Sequence, residues 1–355
     1  MYYILVMIMA LLLPKLYNNK KIFFFIVFAS MGALSGLRSP EVGIDTSMYH
    51  YLYYWTNGHD IEWEYFDKGY YLEIGARILM VISYYIFDDS QGYIFLSSVL
   101  TYIFMGLFCY RCIKNKYYWL APIILIGFGF YSYSLCVLRQ ALAISIACNA
   151  LPYICNRQHF KGMSVILFAS LFHFGVVILL PICFFIKITC NNTRYEQCKK
   201  MFFIIIFLGG SFFILFPFIQ DYLSEKYLLY LTDKNEPVVT YYMIITLIVY
   251  AFLLYKGMRI REVNRSKEEN LMITYSCLFI MCSILVGLVS FKIDIFNRFI
   301  NVFDIYICIL IPMLIDNYSG KNKFFIKCCL LLYCFAEILY LILGDRWGTG
   351  NYEFF

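Results

Sequence analysis

The segment IFFFIVFASMGALSGL, residues 22–37, runs directly into RSPEVGIDTSMY, residues 38–49. The first part is an uninterrupted apolar stretch, close to the ~20 residues that an α-helix needs to cross a bilayer. The second part places an arginine, two carboxylates and a glycine turn at the end of that helix. Polar groups at the lip of a membrane helix usually form a functional site. This junction therefore predicts a membrane fold and the place where its chemistry lies.

The composition of the rest of the chain is that of a membrane protein. Hydrophobic residues make up 62% of the sequence and charged residues only 15%, and the mean hydropathy is +0.70. We therefore expect a single integral membrane domain over residues 1–355, all-α and polytopic, with about 10–12 transmembrane helices. The candidate spans are residues 2–13, 22–37, 71–87, 92–110, 119–136, 137–155, 163–186, 201–219, 241–256, 271–290, 299–315 and 324–343.

The basic residues indicate how the chain crosses the membrane. Three lysines separate the first two spans, and the most basic loop covers residues 256–270. Cytoplasmic loops carry an excess of lysine and arginine, so both loops are expected inside. The loops at residues 38–70 and 220–240 are then extracytoplasmic, and we expect them to be short and to carry amphipathic helices.

The middle of the chain obeys this charge rule only if one candidate span does not cross. Full crossings throughout would put Arg111, Lys114 and Lys116 outside. If residues 71–87 lie along the interface or re-enter, these residues turn inward and Arg139 turns outward. A break near His173 would make residues 163–186 re-entrant. The number of crossings then again keeps the basic loop at residues 256–270 in the cytoplasm. We prefer this arrangement.

Several partners and cofactors are not expected. The net charge of +6 is modest, and the basic residues lie between apolar runs as topology requires, so nucleic acid is not a partner. The four histidines show no metal-ligand spacing, and there is no nucleotide-binding glycine fingerprint. Most of the 14 cysteines lie in apolar runs, where a thiol behaves as a small hydrophobe. We expect neither a metal nor another cofactor.

Two residues inside apolar sequence are candidates for chemistry. Arg139 lies between two apolar runs, where a guanidinium needs an anion, a cluster of carbonyls or water. The alternative is an arginine that snorkels from a tight interfacial loop. His173 lies deep in its apolar run, and a hydrogen-bonded core histidine is the alternative to a catalytic one.

Two residues at helix ends are further candidates, each with a structural alternative. Arg298 follows Asp294 by four residues, so the two can form an ion pair on one helix face. Asp45 precedes Thr46 and can simply cap a short helix.

Taken together, these motifs resemble the EpsG family, which groups with the Wzy-type O-antigen and capsule polymerases. The resemblance rests on Arg38, on the Gly-Ile-Asp-Thr block at residues 43–46 with Tyr49, on Leu-Arg-Gln-Ala-Leu-Ala at 138–143, on Phe-His at 172–173, and on Asn-Arg-Phe at 297–299. It covers the chain from about residue 30 to the carboxyl end.

The resemblance implies a metal-independent glycosyltransferase of the GT-C-like type in the bacterial inner membrane. Such an enzyme moves a glycan chain from undecaprenyl diphosphate to a carrier-linked repeat unit at the outer face. A flippase and a chain-length regulator are the implied protein partners, besides membrane lipid.

The resemblance and the chemistry together assign roles to eight residues. Guanidinium groups bind phosphate through paired hydrogen bonds and stay charged, so the arginines are assigned to the carrier diphosphate. The acceptor hydroxyl needs a base, which a carboxylate or an imidazole supplies. The assignments are Arg38, Arg139 and Arg298 for the diphosphate, Asp45, Glu41 and His173 for catalysis, and Tyr49 and Gln140 for the sugar acceptor.

Three other classes of membrane protein are alternatives. An O-antigen ligase uses the same donor but is expected to carry a large extracytoplasmic loop with its own arginine and histidine, whereas the loop at residues 220–240 has neither. A lipid-linked oligosaccharide flippase is expected to show internal pseudo-symmetry and a cationic cavity spread over many helices. A membrane acyltransferase also uses a histidine, and His173 alone does not separate it from a polymerase.

Overall fold

A computed structural model describes residues 2–16, 19–55, 72–181, 194–200, 202–204, 207, 241–261, 265–291, 296–343 and 348. These residues form helices and connecting turns, with no β-strand among them. The chain divides into two compact units, Met1–Leu180 with Tyr318–Phe355, and Pro181–Asn317. We describe each unit by itself, and the single domain expected over residues 1–355 stays a prediction.

The α-helices are numbered here in chain order. They are α1 (Tyr2–Leu16), α2 (Lys20–Gly36), α3 (Thr46–Trp55), α4 (Ile74–Phe87), α5 (Ser90–Cys112), α6 (Leu120–Gly127), α7 (Phe130–Cys136), α8 (Leu138–Ala147), α9 (Ala150–Cys155), α10 (His159–Ser170), α11 (Tyr241–Met258), α12 (Lys267–Ser290), α13 (Asn297–Asp304), α14 (Ile307–Asn317) and α15 (Gly320–Leu343). A short 3-10 helix covers Phe174–Ile178.

An antiparallel pair of helices, α2 and α5, organises the first unit. At one end the Gln91 side chain donates hydrogen bonds to the carbonyls of Gly36 and Arg38, at 2.8 and 2.9 Å. At the other end the Lys20 ammonium donates to the carbonyl of Tyr110 at 2.6 Å, near the carboxyl end of α5. We call these the Arg38 end and the Lys20 end of the unit.

Helix α4 has both of its own ends at the Arg38 end. Glu73, which precedes it, lies close enough to interact with Tyr93 in the first turn of α5. At its other end, Asp88 in a left-handed conformation leads directly into α5. A helix of 14 residues is about 21 Å long, which is short of the ~30 Å hydrocarbon core. The arrangement favours the prediction that residues 71–87 do not cross the membrane.

Two predicted spans are broken in the first unit at a residue with non-helical backbone angles. The span at residues 119–136 is divided into α6 and α7 at Gly129, whose φ of +85° ends the first helix. The span at 163–186 breaks where it was predicted to, because α10 ends at Ser170 and His173 is extended, with φ −159° and ψ 120°. Whether residues 163–186 re-enter stays a prediction, since residues 182–193 lie outside the described part.

The second unit is built around α12, which begins with a capping box. The Ser266 hydroxyl accepts from the Glu269 amide while the Glu269 carboxylate accepts from the Ser266 amide. Buried Arg194 donates to Thr274 of α12 at 3.2 Å. Helices α13 and α14 are bent by 46° relative to each other, and at the bend Asp304 accepts from the Tyr250 hydroxyl at 2.8 Å.

The lengths of the helices establish the fold class. In the described part, four helical stretches are long and apolar enough to cross a bilayer, namely Ser90–Cys112, Leu138–Cys155, Lys267–Ser290 and Gly320–Leu343. The bent pair α13 and α14 forms a fifth if it counts as one span. The chain is an all-α polytopic membrane protein. The total of about 10–12 crossings and the GT-C-like architecture stay predictions.

Candidate functional site

Arg38, at the end of α2, anchors the loop that follows it. Its side chain is fully buried. The guanidinium donates to the backbone carbonyls of Ser35, Val42 (3.2 Å) and Leu135 (2.7 Å). It also donates to the hydroxyls of Ser98 and Thr46, at 3.3 and 3.4 Å. These bonds favour a structural role, and the assignment of Arg38 to the diphosphate stays a prediction.

Gly43 allows the loop to pack tightly against the end of α7. Its φ of +93° lies in the left-handed region, and a Cβ atom here would sit 2.5 Å from the Leu135 carbonyl oxygen. Its amide donates to the carbonyl of Gly348 at 2.9 Å. Asp45 follows at the start of α3, where it is half-buried and its carbonyl accepts from the Tyr49 amide at 3.3 Å. The glycine turn thus sets the direction of α3.

The centre of the site is the carboxylate of Glu73. One of its oxygens, Oε2, accepts a hydrogen bond from Nη1 of Arg139. The other, Oε1, lies 3.0 Å from Nδ1 of His173 and accepts from the Phe174 amide at 3.3 Å. A single acidic residue therefore joins the first turn of α8 to the break after α10. We call Glu73, Arg139 and His173 the Glu73 cluster.

Two tyrosines line the buried side of this cluster. The Tyr49 hydroxyl hydrogen-bonds with Arg139, and its ring lies 6.1 Å from the ring of Tyr93. Both tyrosines are only 1% exposed. Gln140, next to Arg139, is buried as well. Tyr49 therefore holds the Arg139 guanidinium from the buried side of the cluster. A sugar-binding role for Tyr49 and Gln140 stays a prediction.

The Glu73 cluster itself is partly open. The exposed fractions of its side chains are 13% for Glu73, 18% for Arg139 and 29% for His173. Burial by itself raises the pKa of the Glu73 carboxyl, but the adjacent His173 ring and the charge of Arg139 outweigh it and lower the pKa to about 2. The charged form of Glu73 is therefore favoured, and its charge is available to orient both partners.

Within the first unit, the structure brings together some of the predicted site residues and not others. Tyr49, Arg139 and His173 meet at one place. Glu41 is exposed on the loop after α2. Arg298 is exposed on α13, in the second unit, and Asp294, its predicted partner, lies outside the described residues. A shared cavity for Arg38, Arg139 and Arg298 stays a prediction.

Sequence reasoning missed Glu73, the residue on which the cluster depends. It stands at the start of the candidate span at residues 71–87, inside a mostly apolar run. A carboxylate at the edge of a membrane segment is itself a reason to expect a functional site. That signal was present in the sequence, but it did not reveal which basic residues would be its partners.

Comparison with known proteins identifies the family. The model of the EpsG family matches residues 21–354, nearly the whole chain. The chain belongs to the EpsG family. As an EpsG protein it is a membrane protein of the polysaccharide-polymerase, glycosyltransferase-like type. No functionally curated protein and no solved structure gives a significant match, so the Glu73 cluster of this EpsG protein is described from its own geometry alone.

Proposed function

We propose that this EpsG protein polymerises the repeat units of a bacterial surface polysaccharide, an O-antigen or a capsule. It transfers the growing glycan from undecaprenyl diphosphate to a carrier-linked repeat unit at the outer face of the inner membrane. The observation that carries the proposal is the Glu73 cluster, in which one carboxylate holds an arginine and a histidine side by side at a partly open surface.

Arg139 is suited to receive the carrier diphosphate. A guanidinium has five donor hydrogens in a fixed plane, and Glu73 engages Nη1. Glu73 and Tyr49 fix the orientation of that plane before the substrate arrives. As the glycosidic bond breaks, its electron pair moves to the diphosphate oxygen, and a positioned positive charge stabilises the negative charge that develops there.

His173 is suited to activate the acceptor. Nδ1 lies 3.0 Å from the Glu73 carboxylate, so in the proposed mechanism Nδ1 carries the ring N–H and Nε2 is the acceptor. Nε2 then takes the proton of the acceptor hydroxyl, the hydroxyl oxygen attacks the anomeric carbon, and the diphosphate leaves. Glu73 acts through its two neighbours and is a positioning residue. Asp45 and Glu41 remain the alternative bases.

The sidedness of the chain supports the same proposal. The Glu73 cluster lies at the Arg38 end, because Arg38 binds the Leu135 carbonyl just before α8. Lys20 marks the opposite end, and a lysine-rich first loop is expected in the cytoplasm. The cluster is then presented to the outer face, where flipped lipid-linked repeat units accumulate.

Deletion of the gene, followed by complementation, tests the function. A polymerase mutant is expected to reduce the surface polysaccharide ladder to single repeat units, which wild type restores and Arg139→Ala does not. Loss of all attached glycan would instead indicate a ligase or a flippase. Restoration of a full ladder by Arg139→Ala would remove the Glu73 cluster from the mechanism.

A further inference from the structure

A second polar cluster lies at the Lys20 end, where the Glu73 cluster does not reach. Three ammonium groups surround the ring of Tyr117, at distances from the ring centroid of 5.7 Å for Lys116, 5.3 Å for Lys323 and 4.6 Å for Lys327. Lys323 and Lys327 are one turn apart on α15, and Lys116 precedes Tyr117 in the segment after α5. We call this group the Tyr117 cluster.

Contacts with α2 show that the Tyr117 cluster lies at the Lys20 end of the unit. The ring of Tyr118 lies 5.1 Å from that of Phe23, in the first turn of α2. Lys20, at the first position of the same helix, stacks over Tyr110 at 4.8 Å. The three lysines therefore share the end of the unit that carries the basic first loop, which the charge rule assigns to the cytoplasm.

The charges of the Tyr117 cluster are not balanced within the described residues. None of the ion pairs found there involves Lys116, Lys323 or Lys327. A ring face attracts each ammonium group, but it does not cancel the repulsion among three of them. An anion between the lysines would relieve that repulsion, and a phosphate group has the charge and the acceptor oxygens to do so.

The surroundings of the Tyr117 cluster indicate where that phosphate comes from. Phe324 and Phe325, beside Lys323 in the first turns of α15, are 71% and 68% exposed. Helix α15 continues as a candidate membrane span with most of its surface uncovered. Exposed aromatic side chains next to ammonium groups, at the end of a spanning helix, are typical of the boundary between lipid headgroups and acyl chains.

We propose that the Tyr117 cluster is a binding site for the phosphate of an anionic phospholipid in the cytoplasmic leaflet. Lys116, Lys323 and Lys327 bind the headgroup phosphate, and Phe324 and Phe325 lie against the acyl chains. Clusters of basic residues on the cytoplasmic side of membrane helices bind such headgroups. The site lies at the opposite end of the unit from the Glu73 cluster and does not depend on the proposed reaction.

Trp119, two residues after Tyr117, supplies a fluorescent reporter. The chain has four tryptophans, so replacing Trp55, Trp63 and Trp347 with phenylalanine leaves Trp119 as the only one. The full chain is reconstituted into bilayers that contain either brominated phosphatidylglycerol or brominated phosphatidylcholine. Stronger quenching by the anionic lipid is expected, because bound lipid brings bromine close to the indole.

The matched variants separate site binding from general attraction to an anionic membrane. Changing all three lysines of the Tyr117 cluster to glutamine is expected to lower the affinity for phosphatidylglycerol by roughly a hundredfold, about fivefold for each lysine. The control is Lys161→Gln, which removes an exposed lysine from α10 and should leave the preference unchanged.

Three outcomes overturn the proposal. The first is an equal preference for phosphatidylglycerol in the triple variant. The second is loss of the preference in millimolar inorganic phosphate, which would indicate a site for free phosphate. The third comes from native mass spectrometry of the unmodified chain, which covers the case that the tryptophan variant fails to fold: no more phosphatidylglycerol retained than phosphatidylcholine. Polymerase activity enters none of these measurements, so failure here leaves the proposed function intact.

Discussion

The Nδ1 atom of His173 lies 3.0 Å from Oε1 of Glu73, across the break that ends α10. The same carboxylate holds Arg139 through its other oxygen. One residue thus fixes the orientation of two others, one in α8 and one in the break after α10, and its substitution should disturb both at once.

Glu73→Gln should reduce polymerisation by at least about tenfold, because an amide keeps the size of the side chain but loses the charge that orients both partners. Chain growth by purified protein on synthetic polyprenyl-diphosphate repeat units measures this. The matched control is Asp88→Asn, which removes an exposed carboxylate at the other end of α4, in a left-handed conformation that asparagine tolerates. Equal activities in the two variants would contradict the role of Glu73.

A second test separates positioning from bulk structure. If Glu73 acts partly through His173, the double variant Glu73→Gln with His173→Asn should lose less activity than the two single losses combined, and the extra loss relative to His173→Asn alone should reflect Arg139. Additive losses would show that Glu73 acts independently of the imidazole.

Arg139→Lys should lose most of the activity and Arg139→Ala essentially all of it. The lysine keeps a positive charge but cannot hold Glu73 and a diphosphate with a planar set of donors. The rate of polymer formation at saturating donor is the measurement. Arg111→Lys, in the last turn of α5 at the Lys20 end, is the control and should behave as wild type. Normal polymerisation by Arg139→Lys would reduce Arg139 to a general counter-charge.

The base can be identified by comparing two substitutions. A positioned general base contributes about 10²–10⁴-fold, so His173→Asn should cost at least a hundredfold. Asp45→Asn retains any capping, because asparagine caps as well as aspartate, and it should cost less than about tenfold. The opposite order, with equal protein abundance, would make Asp45 the base, as the sequence first suggested.

Arg38→Ala should lower the stability of the protein, and any loss of activity should follow from that lower stability. Arg38 donates to the buried carbonyls of Ser35, Val42 and Leu135, and a hydrogen bond from a charged group contributes roughly 1.5–3 kcal/mol. The Thr46 hydroxyl still reaches the carbonyls of Val42 and Leu135 in the variant, which limits the loss. A lower melting temperature in detergent and lower abundance in membranes are expected. If the variant has the wild-type melting temperature but no activity, the assignment of Arg38 to the diphosphate site is supported instead.

The sidedness of the first unit can be measured with an impermeant maleimide. Glu41→Cys, on the exposed loop at the Arg38 end, should be labelled while the inner membrane is intact. If the cells have an outer membrane, it is permeabilised first so that the maleimide can pass. Lys114→Cys, exposed after α5 at the Lys20 end, should be labelled only once the inner membrane is permeabilised. The parent protein gives the background from its own cysteines. Labelling of Lys114→Cys in intact cells would invert the arrangement.

The sequence predicted the long helices well, because a long apolar run in a membrane has few stable structures other than an α-helix. The span predicted at residues 92–110 is Ser90–Cys112, and the one at 241–256 is Tyr241–Met258. The interruption at Gly129 was not predicted, since its neighbours are as apolar as the rest of that run. A lone glycine does not reveal its φ angle.

The candidate site was only half visible in the sequence. Arg139 and His173 stood out because charged and titratable groups are rare in apolar runs. Their common partner is one of 23 acidic residues, and nothing in its spacing separates it from the others. It becomes the partner because both ends of α4 lie at the Arg38 end, which brings Glu73 beside Arg139 and His173, and this is a property of the packed helices.

The position of α4 also bears on how a lipid-linked substrate reaches the protein. Its exposed side chains Ile74, Ile78, Ile82 and Ile86 follow every fourth position and form one apolar stripe. If α4 lies within one leaflet, as predicted, it displaces lipid from that leaflet alone, and the lipid beside it is expected to be thinner. We expect the polyprenyl tail of the substrate to stay in this thinner lipid while its diphosphate reaches Arg139 from the side. The protein then needs no tunnel to admit the long tail.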